Sequence, residues 1–245
     1  MSTYIMSDIH GCYDQYLELL HKLCLSGEDE LLILGDVLDR GPEPIKVLLD
    51  LMGRDNATLI MGNHEATALM VLRQLAKEIT DDSIEEITPE VLNAYSAWLQ
   101  DGGIPTMKQF QKLERTVQAD ILSFLEDAPL YETIEHNKKL YVLVHGGLDN
   151  FDISKELDEY EPEELLWGRP DYDREYFPGG KIILITGHTP TPCIRKDKKP
   201  LVYEENGHMA IDCGCVFGGK LAAYCIETGK TIYVDGLKNG ISEYM

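Results

Sequence analysis

No apolar run in this sequence is long enough to cross a lipid bilayer. Apolar runs such as those at residues 31–34 and 182–185 have four residues each, whereas a membrane-spanning helix needs about 20. Residues 1–12 also lack the basic-then-apolar pattern of a signal peptide. We therefore expect a cytoplasmic protein that does not engage membranes.

Basic residues are scarce. The 245-residue chain has 22 lysines and arginines against 43 aspartates and glutamates, which gives a net charge of -21. A surface of this charge repels polyanions, and no basic stripe offsets the repulsion. We therefore expect neither nucleic-acid backbones nor anionic membranes as partners. The composition leaves the oligomeric state open, and a monomer agrees with it.

The six cysteines lack the spacing of a metal knuckle or of a secreted disulfide framework. They are Cys12, Cys24, Cys193, Cys213, Cys215 and Cys225. Without a C-x-x-C pair, reduced thiols are the expected state. Cys213 and Cys215 could share one face of a strand and touch a metal ion, but small buried side chains are the more common reason for such spacing.

Internal repeats, low-complexity tracts and Pro/Ser-rich linkers are also missing, which favours one domain over residues 1–245. Short apolar runs alternate with helical periodicity in the first half, which predicts an α/β fold with a βαβαβ opening. Residues 78–127, interrupted by Gly102 and Gly103, are predicted to form a helical cap-like segment. After residue 182 the chain is rich in predicted strands that close a sheet. The predicted strands cover residues 3–6, 31–34, 58–61, 131–135, 139–144, 182–185, 200–203, 209–212, 221–226 and 231–234.

Five predicted strands are followed, within about three residues, by side chains that bind metals or transfer protons. These side chains are Asp8 and His10, then Asp36, then Asn63 and His64, then His145, then His188. Loops at the carboxyl ends of strands meet at one crevice in α/β folds. We therefore expect these residues to converge on a single site.

The chemistry of this set suits two metal ions. Asp8 and His10 are two positions apart, which places both side chains on one side of an extended backbone. Asp36 has two carboxylate oxygens and can bridge two ions, while Asn63 and the two later histidines can complete the second position. Mixed oxygen and nitrogen donors suit Mn²⁺, Fe or Zn²⁺ better than Ca²⁺. Two such ions clamp a phosphoryl group during displacement at phosphorus.

Each motif taken alone has another interpretation. A single histidine after a strand is commonly a surface or core residue, and Gly-Asp or Gly-Asn after a strand is common turn chemistry. Together, however, the motifs use four of the seven histidines, always at predicted strand ends, which favours the metal site. We assign no role to His21, His136 and His208.

Five motifs follow these strands in order: Ser7-Asp8-Ile9-His10-Gly11, Gly35-Asp36-Val37-Leu38-Asp39-Arg40-Gly41, Gly62-Asn63-His64-Glu65, His145-Gly146-Gly147 and Gly187-His188-Thr189. The set resembles the signature of the phosphoprotein phosphatase family. It is most similar to the compact bacterial and bacteriophage-lambda-type serine/threonine phosphatases among the calcineurin-like metallophosphoesterases. The resemblance departs at Ser7, where that family usually has glycine. It implies a β-sandwich flanked by helices, in four layers (αββα).

The resemblance also implies a role for each matching residue. Asp8, His10 and Asp36 would hold the first ion, and Asp36, Asn63, His145 and His188 the second, with manganese as the expected metal and iron or zinc as alternatives. His64 would be the general acid that protonates the leaving oxygen, with Asp39 orienting its ring.

Two arginines are expected to bind the phosphoryl oxygens. Arg40 resembles the first phosphate-binding arginine of the family, whose planar fork matches two oxygens. Trp167-Gly168-Arg169 is similar to the tryptophan-x-arginine segment of the phage-type enzymes, so Arg169 is the expected second arginine. Arg174 is its rival, although an ordinary surface ion pair is the simpler interpretation of Arg174.

The implied activity is that of a serine/threonine protein phosphatase, which acts on phosphorylated proteins or peptides by direct in-line attack of a metal-activated water. One alternative is a symmetrical dinucleoside tetraphosphate hydrolase of the same fold. The other is a noncatalytic interaction module. The intact motifs at residues 39–41 and 63–65 favour a protein substrate over the first alternative. His64 beside a full ligand set argues against the second.

Overall fold

The computed structural model describes residues 1–77, 88–238 and 240, and its ten strands in these ranges belong to two five-stranded sheets. The strands are β1 (Thr3–Met6), β2 (Glu30–Leu34), β3 (Ala57–Ile60), β4 (Tyr131–His136), β5 (Lys139–Val144), β6 (Ile182–Thr186), β7 (Tyr203–Glu205), β8 (His208–Ala210), β9 (Lys220–Cys225) and β10 (Lys230–Asp235). The first sheet has the order β10-β9-β1-β2-β3 and the second the order β4-β5-β6-β8-β7.

Eight α-helices connect or cover these sheets in the described ranges. They are α1 (Tyr13–Leu23), α2 (Pro44–Met52), α3 (Asn63–Leu75), α4 (Pro89–Trp98), α5 (Ile104–Phe110), α6 (Arg115–Glu126), α7 (Pro162–Leu166) and α8 (Thr191–Ile194). The predicted βαβαβ opening is confirmed, because β1, β2 and β3 pair in parallel through α1 and α2. Among the described residues, no helix is both long and apolar enough to cross a bilayer.

The predicted strands agree with the structure to within one residue at either end, except the two at residues 200–203 and 209–212. There the observed strands are Tyr203–Glu205 and His208–Ala210, which pair as a tight antiparallel hairpin. The second half of the chain was predicted to close one sheet, but it contributes strands to both sheets. Its last two strands return to the first sheet, where β9 pairs antiparallel with β1, while β4 to β8 build the second sheet.

Alternation along the strands explains why two sheets pack face to face. In β2, Leu32 and Leu34 face the second sheet, while Leu31 and Ile33 face the helices. In β5, the same period of two separates Tyr141 and Leu143 from the residues on the opposite face. The predicted sandwich of two sheets flanked by helices is thus confirmed. The layer outside the second sheet consists mainly of loops and the short helix α7.

The predicted cap-like segment at about 78–127 begins outside the described residues, which resume at residue 88. From there it comprises α4, a five-residue turn of π type (Leu99–Gly103), α5 and α6. These helices pack on α2 and α3. The segment therefore extends the helical layer over the first sheet and brings the turn to the edge where β2 ends.

Candidate active site

The carboxyl ends of five parallel-paired strands meet at one edge of the sandwich. Asp8 and His10 follow β1, Asp36 follows β2, and Asn63 begins α3 directly after β3. The loops after β5 and β6 in the second sheet carry His145 and His188 and approach the same edge. The Nδ1 atom of His145 donates to the backbone carbonyl of Leu34 at 2.6 Å, and the backbone N–H of His188 donates to Asp8 at 3.0 Å. The expected convergence of these residues is therefore present in the fold.

These loops have unusual backbone geometry. Of the twelve non-glycine residues with left-handed φ in the described ranges, six are candidate site residues: Asp8, His10, Asp36, Asp39, Arg40 and His188. Left-handed backbone costs a residue with a side chain about 1–2 kcal/mol. Bonds between loops hold it in place, since the N–H of Asp8 donates to the carbonyl of Gly35 and that of His10 to the carbonyl of Asp36. Such concentration of strain is typical of functional sites.

Glu65 fixes the loop that carries Asp36, a role that the sequence analysis did not assign. Its fully buried carboxylate accepts three consecutive backbone N–H groups, from Asp36 at 2.6 Å and from Val37 and Leu38 at 3.0 Å. Gly62 allows this close approach, because a Cβ at that position would lie 2.6 Å from Glu65 Oε2. Glu65 stands in the motif with Asn63 and His64, so the motif itself was the available signal.

We expect Glu65→Gln to destabilise the fold by about 2 kcal/mol, because the amide nitrogen would face a buried N–H where a carboxylate oxygen now accepts it. Equilibrium unfolding in denaturant, at matched metal concentration, measures the change. Glu126→Gln is the control, since Glu126 makes an exposed ion pair with Arg73 and exposed pairs contribute little. Equal stabilities of the two variants would contradict the assigned role.

Two compact groups of potential ligand atoms share Asp36. In the first, Asp36 Oδ2 lies 3.5 Å from His10 Nε2 and 4.0 Å from His64 Nε2. In the second, Asp36 Oδ1 lies 3.4 Å from His145 Nε2, and His188 completes the group. The geometry thus places the two oxygens of one carboxylate in two different groups.

Asn63 belongs to the second group. Its Oδ1 atom lies 2.8 Å from His145 Nε2 and 3.0 Å from His188 Nδ1. An amide oxygen, a carboxylate oxygen and two ring nitrogens are thereby gathered around one point. This is a donor set that borderline divalent ions accept.

The protonation state of the histidines shows that these groups fit a cation. His10 and His145 each donate from Nδ1 to a backbone carbonyl, at 2.8 Å to Leu38 and 2.6 Å to Leu34, which leaves a lone pair on each Nε2. Burial lowers the pKa of both rings, and it lowers that of His188 to about 3, so the rings are neutral. The lone pair of His145 Nε2 therefore points at the Asn63 and Asp36 oxygens, and a positive ion between these atoms would replace their repulsion by coordination.

Asp8 lies beside these groups rather than within either of them. Its carboxylate accepts the hydroxyl of Ser7 and the backbone N–H of His188. Burial and the nearby Asp212 carboxylate raise the pKa of Asp8 well above its usual value. Asp8 therefore contacts the site through His188 but is a member of neither ligand group among the described residues.

Asp212 is a buried carboxylate near the site that sequence reasoning missed. It follows β8, which pairs in parallel with β6, and it accepts the N–H of Gly214 at 2.8 Å. Burial raises its pKa to about 7. The signal was present, because Asp212 follows a strand as the other candidates do. The prediction of a strand over residues 209–212 concealed it, since the observed strand ends at Ala210.

His64 and Asp39 form the predicted pair, and the helical segment holds them. His64 Nδ1 lies 2.7 Å from Asp39 Oδ2. Burial disfavours a charged ring, but the Asp36 and Asp39 carboxylates outweigh it and raise the pKa of His64 to about 9. Trp98 donates its indole N–H to the same Asp39 oxygen at 2.7 Å, and the Thr106 hydroxyl donates to the other at 2.6 Å. The last two contacts were not predicted.

Arg40 and Arg169 line one cleft of about 460 Å³ together with Asp36, Asn63, His64 and His188. Arg40 donates from Nη1 to His10 Nε2 at 2.7 Å and from Nη2 to Asp101 at 2.9 Å. Arg169 is held by Thr189 at 2.8 Å. The rival Arg174 lies over the rings of Phe151 and Tyr176, in a different surface depression. The geometry therefore favours Arg169 as the second arginine of the cleft.

Curated relatives align with nearly the whole chain. The asymmetrical bis(5'-nucleosyl)-tetraphosphatase PrpE of Bacillus velezensis is 27% identical over 268 residues, which cover 96% of this chain and 93% of that protein. The symmetrical bis(5'-nucleosyl)-tetraphosphatase of Baumannia cicadellinicola is 25% identical, with 97% and 94% covered.

Solved structures share the fold. A putative diadenosine tetraphosphatase superposes with a TM-score of 0.66 at 20% identity, covering 96% of this chain and 94% of that one. A protein serine/threonine phosphatase from Saccharomyces cerevisiae superposes with a TM-score of 0.56 at 17% identity, covering 100% and 81%. At these identities the two superpositions support the architecture alone.

These relatives overturn part of the sequence-based interpretation. The predictions of a serine/threonine protein phosphatase, and of phosphorylated proteins or peptides as its substrates, are wrong, because the full-length curated relatives are named for dinucleoside tetraphosphates. The physical reason is that the matching motifs surround the phosphoryl group, which both substrate classes contain. The intact sequences of these motifs therefore did not discriminate between a phosphorylated protein and a dinucleotide as the substrate.

The broader prediction of a metal-dependent phosphoesterase fold is confirmed, and the aspartate and histidine groups are those of a divalent-metal family. Residues 1–230 match the model of the calcineurin-like phosphoesterases, and the chain therefore belongs to that family.

Proposed function

We propose that this protein is a metal-dependent bis(5'-nucleosyl)-tetraphosphate hydrolase. Curated relatives that align over more than nine-tenths of both chains carry this name, in symmetrical and asymmetrical forms. The site supports the same chemistry, because its cleft is lined by residues suited to bind a phosphoryl group and to transfer a proton to its leaving oxygen.

One observation carries the phosphoryl-binding part of the proposal. Arg40 Nε and His64 Nε2 are buried nitrogens that have no hydrogen-bond partner among the described residues, and both residues line the cleft. A buried N–H without a partner costs about 1–3 kcal/mol. A phosphate bound in the cleft would bring acceptor oxygens next to both side chains, which supports this class of ligand.

The residues divide the work as follows in the proposed reaction. Two divalent ions would be held at the site, one by Asp36 with His10 and the other by Asp36 with Asn63, His145 and His188. Asp8 would support the site through its contact with His188. Manganese is the first candidate for such donors. When bound, the ions would supply positive charge to the phosphoryl oxygens and lower the pKa of water.

Arg40 and Arg169 would bind the nonbridging oxygens, and their charge would offset the charge that develops during in-line displacement. As the bond between phosphorus and the bridging oxygen breaks, His64 would donate the Nε2 proton to the departing nucleotide. Asp39 would hold the opposite N–H of the ring, so that the proton leaves from the nitrogen that faces the cleft.

We expect the purified protein, supplied with Mn²⁺, to cleave diadenosine tetraphosphate. Anion-exchange chromatography identifies the products: ADP alone marks symmetrical cleavage, and AMP with ATP marks asymmetrical cleavage. His64→Asn serves as the matched inactive control. Hydrolysis of 4-nitrophenyl phosphate without release of any nucleotide from diadenosine tetraphosphate would overturn the proposed substrate and leave the phosphoesterase chemistry standing.

A further inference from the structure

Asp101 places a carboxylate against both cationic groups of the cleft. It lies in the turn Leu99–Gly103, where Oδ1 accepts Arg40 Nη2 at 2.9 Å and Oδ2 lies 3.4 Å from His64 Nε2. The side chain is 45% exposed and lines the cleft. One carboxylate thus touches the arginine that would bind the phosphoryl group and the nitrogen that would protonate its leaving oxygen.

The turn that carries Asp101 is anchored on both sides. The carbonyl of Gly102 accepts the backbone N–H of Arg40 at 2.8 Å. Gly102 has φ of 102°, and a Cβ there would lie 2.6 Å from Arg40 Cγ. Trp98 before the turn and Thr106 after it both bind Asp39. The backbone that carries Asp101 is therefore held in place at the edge of the cleft by contacts on both sides of the turn.

The charge of a phosphate depends on its place in the substrate. A terminal phosphate monoester carries about 1.5 to 2 negative charges at neutral pH, because its second pKa is about 6. A phosphate linked through oxygen on both sides has a single ionised oxygen, and every phosphate of a bis(5'-nucleosyl) tetraphosphate is of this kind. The second charge of a terminal phosphate would lie within a few ångströms of Asp101, where like charges repel strongly.

We propose that Asp101 is a specificity-determining residue that disfavours dianionic terminal phosphates and so selects singly charged internal phosphates. It does so by repelling the second charge and by neutralising part of the Arg40 charge that would otherwise attract it. This inference rests on the proposed phosphoryl site, but it does not require that the substrate be a dinucleotide.

The test compares two aryl esters that differ in charge. 4-Nitrophenyl phosphate is a monoester with a terminal phosphate, and bis(4-nitrophenyl) phosphate is a singly charged diester. We expect Asp101→Asn to raise kcat/KM for the monoester about tenfold, chiefly through a lower KM, and to change the value for the diester by less than about threefold. Asp101→Glu keeps the charge and should keep the wild-type preference.

Binding without turnover gives a second readout. Isothermal titration of inorganic phosphate into the Mn²⁺-loaded protein should show tighter binding to Asp101→Asn than to the wild type. Asp120→Asn, at an exposed position of α6, controls for the change in net charge. If Asp101→Asn lowers both kcat/KM values together, Asp101 merely holds Arg40; if it raises both equally, it does not discriminate by charge. Either outcome overturns the inference, whereas failure to cleave diadenosine tetraphosphate would overturn only the proposed substrate.

Discussion

Asp36→Asn is expected to disrupt both metal positions at once and to lower kcat/KM for the hydrolysis of diadenosine tetraphosphate by at least about 10²-fold. A loss of this size is typical when one preorganised electrostatic group is removed from an active site. Asp36 is the residue common to both ligand groups, with Oδ2 at 3.5 Å from His10 Nε2 and Oδ1 at 3.4 Å from His145 Nε2. Asparagine keeps the size of the side chain but removes its charge and turns one oxygen into an N–H donor, which cannot ligate a cation.

Metal content after desalting, measured by inductively coupled plasma mass spectrometry, provides the direct readout. We expect two ions per wild-type chain and less than one in Asp36→Asn, with Asp120→Asn matching the wild type. Retention of two tightly bound ions by Asp36→Asn would show that the carboxylate does not bridge.

His64→Asn is expected to lower kcat about 10²- to 10⁴-fold, the usual contribution of a positioned general acid. His64 is buried, Asp39 fixes its Nδ1, and its Nε2 has no hydrogen-bond partner among the described residues. The loss should be larger for an alkyl phosphate than for 4-nitrophenyl phosphate, because an alkoxide leaves poorly without a proton.

The same variant separates two roles that the geometry allows for His64, since its Nε2 lies 4.0 Å from Asp36 Oδ2 in the first ligand group. A proton donor can be removed without loss of metal, so His64→Asn should still bind two ions, although it should unfold at a lower temperature than the wild type because the buried Asp39 carboxylate loses its charged partner. A fall to one ion per chain, with equal losses for alkyl and aryl substrates, would make His64 a ligand instead.

Local sequence patterns were sufficient to predict much of the fold and of the candidate site. Short apolar runs located eight strands to within one residue, and ligand-type side chains directly after them identified the edge where the loops meet. An apolar run does not specify which strand pairs with which. For that reason the return of β9 and β10 to the first sheet was not predicted.

Contacts between distant residues were the least predictable part of the site. Glu65 binds backbone groups 27 to 29 positions away, and Trp98 and Thr106 reach Asp39 across 59 and 67 positions. Nothing in the local sequence around Trp98 distinguishes an indole that packs from one that also donates to a buried carboxylate. The class of molecule to which the phosphate is attached was mispredicted for a related reason. The motifs contain the residues that surround the phosphoryl group, and they do not contain residues that contact the rest of the substrate.

The division of ligands between the two sheets has a consequence for how the molecule responds to metal depletion. The first group draws its members only from the segments that follow β1, β2 and β3, whereas the second joins Asp36 of one sheet to His145 and His188 of the other. An ion in the second position would therefore cross-link the two halves of the sandwich, and its binding energy would add to the resistance of the whole chain against unfolding. An ion in the first position would tie together only neighbouring loops, so its release would leave the union of the sheets intact.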